Sequence, residues 1–169
     1  MTNVADRHTD DHAEVLPADQ IAEEYELLVS VAARLNRTSA VLLSALPVPL
    51  TFRQYRTLSR VAGGYTSLSQ LAKRGNLSLP TVSENVDGLV RRGLMVTRQS
   101  ETDRRAIVLE VTDAGREATE AGRLVLKDLI ETLLSGVDAD ARDDLQQALH
   151  VIYESATTYF NENARGKKG

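Results

Sequence analysis

Residues 94–113 read LMVTRQSETDRRAIVLEVTD, and their pattern decides the fold. The run 94–98 is mostly β-branched or aliphatic, and the run 106–112 alternates Ile107, Leu109 and Val111 with Val108, Glu110 and Thr112. Two such runs around a charged tip at 100–105 predict a β-hairpin. The tip has neither Asn-Gly nor Asp-Gly, so a tight two-residue turn is not expected. It carries Asp103, Arg104 and Arg105. Adjacent arginines suit a hydrophobic core poorly, whereas the narrow, electronegative minor groove of DNA attracts them.

Two short amphipathic helices lead into this hairpin. Ser67 and Gln70 form a capping-box pattern that opens a helix over 68–74, and Gly75 and Asn76 break it. Ser78 then caps a helix running to Arg92, with Pro80 tolerated in its first turn and Gly93 at its end. Leu68, Leu71 and Ala72 of the first helix face inward. Leu79, Val82, Val86, Leu89 and Val90 form one apolar stripe on the second. Its other side shows Pro80, Thr81, Ser83, Glu84, Asp87 and Arg91. The N-terminal half of that face is small and hydrogen-bonding, which suits a helix end entering a major groove about 12 Å wide. Two short helices followed directly by a basic hairpin have the order of a winged helix.

Farther out, Thr51 and Gln54 make another capping box, opening a helix from 52 to about 61 that Gly63 and Gly64 stop. Before it, Ile21, Tyr25, Leu28, Ala32, Leu35, Ser39, Leu42 and Leu46 recur at alternating steps of four and three residues. That spacing predicts a long helix with a narrow seam for another helix, ended by Pro47 and Pro49. After the hairpin, a helix runs from Asp113 to about Gly136. A last helix, from about Asp138 to Phe160, has a seam of Leu145, Leu149, Ile152, Ala156 and Tyr159. The predicted fold class is mainly α with one small β-hairpin, a winged helix-turn-helix module bracketed by long dimerisation helices. Its parts are a disordered tail at 1–17, an N-terminal dimerisation helix at 18–47, the winged module at 51–112, C-terminal dimerisation helices at 113–160 and a flexible tail at 161–169. Both seams are too extensive for a middle module of this size to cover, so a homodimer is expected.

Composition narrows the function further. Residues 51–112 carry ten basic and five acidic side chains, a net of +5, which leaves −9 for the rest of a chain totalling −4. A basic module between acidic flanks fits a polyanion-binding unit. The absence of cysteine excludes disulfides and thiolate metal sites. No apolar run reaches the roughly 18 residues of a membrane span, and the acidic N-terminus lacks an apolar signal core, so a cytoplasmic protein is expected. Catalytic patterns are missing. The histidines are His8, His12 and His150, and neither a Gly-x-Ser-x-Gly elbow nor a phosphate-binding Gly-rich loop occurs. No cofactor and no metal are expected.

The run LSLPTVSENVDGLVRRGLMVTRQSETDRRAIVLEVTDAGRE, residues 77–117, resembles the core signature of the MarR family of transcriptional regulators. The resemblance rests on Thr81-Val82-Ser83 in the recognition helix, the Asp103-Arg104-Arg105 wing and the exit through Val111, Thr112 and Gly115. The segment LTFRQYRTL, residues 50–58, is similar to the family's second helix. The likeness spans roughly residues 21–160. It implies that Thr81 and Ser83 contact bases or phosphates. It also implies that Arg105 enters the minor groove, held by Asp103, and that Arg104 adds a phosphate or second groove contact. Ser78, Pro80, Arg91 and Arg98 complete the candidate DNA-binding set. Glu84 departs from the basic or small residue many members carry. A carboxylate there is repelled by phosphate but can accept from the exocyclic amine of cytosine. Asp87 is expected to pair internally with an arginine of the wing or helix.

The resemblance also implies a homodimer on a pseudo-palindromic double-stranded DNA operator, and a small anionic or phenolic effector bound between the dimer helices and the winged module. Tyr25, Arg34, Arg37, Arg56 and Tyr65 lie near that region, and none of them stands out. The expected function is a sequence-specific DNA-binding transcriptional regulator, a repressor relieved by its effector, without enzyme activity. Two other readings stay open: a protein-interaction scaffold whose winged helix binds no DNA, and a ligand-independent DNA-binding regulator.

Overall fold

A computed structural model of the chain describes residues 18–99 and 107–166. The tail expected at 1–17 and the wing tip with Asp103, Arg104 and Arg105 lie outside the described residues. The elements run α1 (Ala18–Ser44), α2 (Phe52–Ala62), α3 (Leu68–Gly75), α4 (Leu79–Arg91), β1 (Met95–Gln99), β2 (Ile107–Val111), α5 (Asp113–Leu133) and α6 (Ala139–Gly166). The chain divides into two units that part between Arg37 and Thr38.

In the first unit, the described part of α1 is solvent-facing over most of its length. Tyr25, Leu27, Leu28, Val29 and Val31 are all exposed. Leu28 and Tyr25 belong to the expected seam, so that seam has nothing covering it within the unit.

In the second unit, the core is aliphatic, as a chain poor in aromatics requires. Leu43, Leu58, Leu71, Leu89, Met95 and Leu109 are its largest fully buried side chains. Each contributes about 1.5–3 kcal/mol by leaving water. Helix α2 is central, packing on α3, α4, α5 and β2. Both expected capping boxes form. Thr51 Oγ1 accepts from the Gln54 N–H at 3.1 Å while Gln54 Oε1 accepts from the Thr51 N–H at 3.0 Å. Ser67 and Gln70 repeat the arrangement at 3.2 and 3.1 Å. Helix α3 ends on Asn76, whose φ of 52° is left-handed, a conformation asparagine tolerates better than most residues.

The hairpin is antiparallel, with Met95 opposite Val111 and Gln99 opposite Ile107. Its inner face buries Met95, Leu109 and Val111, the alternation expected from sequence, although Ile107 near the tip is exposed. The Leu109 N–H donates to the Thr66 carbonyl at 2.9 Å, which ties the segment before α3 to the hairpin. Thr112 caps α5. Its Oγ1 accepts from the Gly115 N–H at 3.0 Å and donates to the Gly93 carbonyl at 2.7 Å, locking the exit of the hairpin to its entrance.

Three expectations need correction. The seam of α1 was placed on Leu42, but Leu43 is the fully buried residue, with Leu42 half-buried. Leu43 falls four residues after the buried Ser39, and its carbonyl accepts from the Leu50 N–H at 3.0 Å as the chain turns back. Leu79 was assigned to the inner stripe of α4 but is 51 % exposed. It stands in the first turn with Ser78 and Pro80, also exposed, so this turn projects beyond the helices that α4 packs on. Finally, α6 continues past Phe160 to Gly166, through most of the expected tail. Asn161, Asn163 and Ala164 contain no helix breaker, and Asn163 Nδ2 bonds back to the Tyr159 carbonyl at 2.8 Å.

Candidate nucleic-acid interface

Helix α4 buries Val82, Val86 and Leu89 and turns its other side to solvent. Its start is built from hydroxyls. Ser78 Oγ accepts from the Thr81 N–H at 3.3 Å and lies 2.7 Å from Thr81 Oγ1. One hydroxyl proton is used between the two oxygens, which leaves the other free to donate outward. Pro80 has no N–H, and that of Thr81 is already taken. The first turn therefore presents side-chain hydroxyls together with the Leu79 N–H at the positive end of the helix dipole.

Ser78, Pro80 and Glu84 are exposed on this end, while Thr81 and Ser83 are half-buried beside them. The structure thus brings five of the candidate residues together on one projecting helix end. Arg91 is exposed at the far end of the helix, about 18 Å along the axis at 1.5 Å per residue. It cannot share a base pair with Thr81. Asp87 is exposed and makes no ion pair with a described residue; the wing arginines named as its possible partners lie outside the described residues.

Two contacts fix the orientation of α4, and sequence reasoning missed both. Asn85 Nδ2 donates to Thr57 Oγ1 on α2 at 2.8 Å in a partly buried setting. Arg92, at the C-terminal cap, donates to Gln54 Oε1 at 3.0 Å and to the Pro49 carbonyl at 2.6 Å. The Thr57 and Asn85 positions are far apart in the chain, and no local pattern joins them. The recognition face is therefore set by polar contacts to α2 at both its middle and its end.

On the hairpin, Arg98 Nε donates to Glu110 Oε2 at 2.6 Å, and both side chains are exposed. Arg98, a candidate DNA contact, is thus paired across the hairpin. An exposed pair of this kind is worth about 0–1 kcal/mol, so a phosphate can compete for the guanidinium. Among the described residues, no group of three or more His, Asp or Glu side chains could hold a metal ion.

Comparisons with known proteins agree with this architecture. Residues 48–106 match the family model described as MarR family. The fold is similar to that of a MarR family protein from Bacillus stearothermophilus, with a TM-score of 0.74 and 19 % identity over 85 % of this chain and 99 % of that one. It is also similar to the transcriptional regulator BldR from Sulfolobus solfataricus, with a TM-score of 0.70, 21 % identity, and coverage of 83 % of this chain and 99 % of that one. A third likeness is to Streptococcus pneumoniae FabT in complex with DNA, with a TM-score of 0.74, 22 % identity, and coverage of 83 % and 99 %. No curated protein matches the chain. The segment 48–106, which holds the winged-helix module, is thus similar to the MarR family.

Proposed function

We propose that this chain is a sequence-specific DNA-binding transcription regulator, a repressor that binds a pseudo-palindromic operator as a homodimer and is released by a small-molecule effector. The observation that carries the reading is the projecting, hydroxyl-rich start of α4 followed directly by a hairpin whose tip holds two arginines. Similar folds include one solved with DNA, the Streptococcus pneumoniae protein. Ser78, Pro80, Thr81, Ser83 and Glu84 then meet the major groove, and Arg104 and Arg105 the minor groove with Asp103 holding the latter. Arg91 and Arg98 serve the phosphate backbone. No catalytic step is assigned to the chain. Among the described residues no helix is long and apolar enough to cross a membrane, and a cytoplasmic site of action follows from the DNA-binding role.

The test is an anisotropy titration with genomic fragments at several salt concentrations. A fragment bound at least a thousandfold more tightly than random DNA is expected, together with a steep fall of affinity with salt as arginines displace counterions. Equal binding to all fragments would exclude a sequence-specific regulator.

Dimerisation rests on apolar faces left open. On α6, Leu145, Leu149, Ile152 and Tyr159 are exposed, and they are four of the five seam residues named from sequence. The exposed Tyr25 and Leu28 of α1 present a second such face. A second copy packing on these helices removes both from water and spaces two recognition helices about one DNA turn apart. Sedimentation at micromolar concentration should give a dimer; a monomer there would sink this reading.

Glu84 is the candidate specificity residue. Its carboxylate repels phosphate, so its place on an exposed groove-facing turn is best used on a cytosine amine. Glu84→Ala should change the preferred base at one position per half-site, by about 1–3 kcal/mol of discrimination, while altering total affinity less. Identical sequence preferences for the variant and the wild type, read by selection from a random library, would remove Glu84 from the contact set.

A further inference from the structure

One large apolar side chain stands among the hydroxyls at the start of α4. Leu79 is the first residue of that helix. It is 51 % exposed, whereas Val82, one turn on, is 3 % exposed. Leu79 belongs neither to the buried cluster nor to the partly buried residues packed on it, although its near neighbour Leu77 does. Packing of the module therefore gives no use for this leucine.

Its place on the helix sets where it leans. In an α-helix the Cα–Cβ bonds tilt toward the N-terminus, so a long side chain in the first turn reaches past the helix end and not over a preceding turn. Ser78 and Pro80 beside it are exposed, and Thr81 and Ser83 are half-buried. The Ser78 and Thr81 hydroxyl oxygens lie 2.7 Å apart. This end of the helix thus offers hydroxyls, the Glu84 carboxylate and one flexible aliphatic group. A DNA phosphate gains nothing from that aliphatic group. On the major-groove edges of the base pairs, the donors and acceptors are polar, and the 5-methyl of thymine is the apolar feature. A folded protein partner is a poorer match, because it needs a surface of about 800 Å² per side, and Ser78, Ser83 and Glu84 share this end with the leucine.

We propose that Leu79 is a specificity-determining residue that packs on the 5-methyl group of one thymine in each operator half-site. The proposal rests on the reading of α4 as the major-groove helix. Leu79 and Glu84 then select opposite pyrimidine features. The carboxylate accepts from a cytosine amine, and the leucine takes a methyl group that cytosine lacks.

The test replaces operator thymines by deoxyuridine, which removes the 5-methyl group and keeps every hydrogen-bonding edge. Each half-site thymine is replaced in turn, in both half-sites together, and affinity is read by anisotropy at fixed salt. The wild type should lose about tenfold at one position, the order expected for two buried methyl groups. Leu79→Ala should bind the thymine operator about tenfold more weakly than the wild type does. It should also treat thymine and deoxyuridine at that position alike, within about twofold, which closes the cycle between side chain and methyl group. Its melting midpoint should stay within about 2 °C of the wild type, because the side chain lies outside the core.

A wild type indifferent to every replacement would overturn the proposal. So would a methyl preference that persists in Leu79→Ala, since the effect would then belong to DNA flexibility. A Leu79→Ala midpoint lowered as far as that of Val82→Ala would place the leucine in the packed body and overturn it too. The two readings fail separately. A tightly bound fragment insensitive to deoxyuridine removes the role of Leu79 alone, whereas the absence of any preferred fragment removes the regulator reading and Leu79 with it.

Discussion

An Arg105→Ala variant is expected to bind its operator about a hundredfold more weakly than the wild type while remaining dimeric. The described pairs of the hairpin run from Met95 opposite Val111 to Gln99 opposite Ile107, which fixes the register of a two-stranded base. That base is anchored in the core through Met95, Leu109 and Val111. We propose that a guanidinium carried beyond this base meets the minor groove. A hydrogen bond to a charged group contributes about 1.5 kcal/mol at the lower end of its range. Two wings per dimer give about 3 kcal/mol, or two powers of ten in affinity. Anisotropy at fixed salt measures the loss, and sedimentation checks the dimer. A change under threefold would take Arg105 out of the groove. If Asp103 orients that arginine as proposed, Asp103→Ala should cost less, since the arginine itself remains.

The largest stability effect is expected at Gly115. A Cβ built there would lie 2.0 Å from the Leu94 carbonyl oxygen and 2.7 Å from Val111 Cγ1. The first of these is backbone. It cannot retreat easily, because the Leu94 N–H is bonded to Leu89 at 3.0 Å and the Leu94 carbonyl accepts from Thr112 at 3.2 Å. Gly115→Ala should therefore destabilise the chain by about 3 kcal/mol, the upper part of the range for overpacking. The midpoint of thermal unfolding should fall by on the order of 10 °C. Gly136→Ala is the control: nothing lies within 4 Å of its Cβ position, and a change within about 0.5 kcal/mol is expected. Equal melting curves for the two variants would show that the start of α5 can shift away from the hairpin.

These two residues also mark the limits of reading the sequence. Helix starts were legible at Thr51, Ser67 and Ser78 because a cap is a contact between residues three apart, and the pattern is the contact. The hairpin was legible for the same reason, since its strands are close in sequence and alternate at period two. The inner stripe of α4 was legible at Val82, Val86 and Leu89 but not at Leu79. Periodicity says which side of a helix is apolar, not where the body beneath it ends. Leu42 and Leu43 show the same limit. Both fit a helical seam within one step, and the turn back to Leu50 selects the second.

For the candidate site, residue identities came from local pattern and their engagement came from the fold. Arg98 looked like any basic strand residue until Glu110 was found across the hairpin. Asn85 and Arg92 looked like surface residues of a helix, yet they hold α4 to Thr57, Gln54 and Pro49. Arg74 on α3 meets Tyr153 on α6, a meeting of segments that no spacing in the chain announces.

By itself, the sequence determined the order of elements, their caps, the winged helix-turn-helix and the charge of its tip, because each depends on contacts between near neighbours along the chain. Only the tertiary structure decided which faces are covered and how α4 is aimed. Those outcomes depend on residues brought together across the chain, where packing rather than periodicity selects the partner.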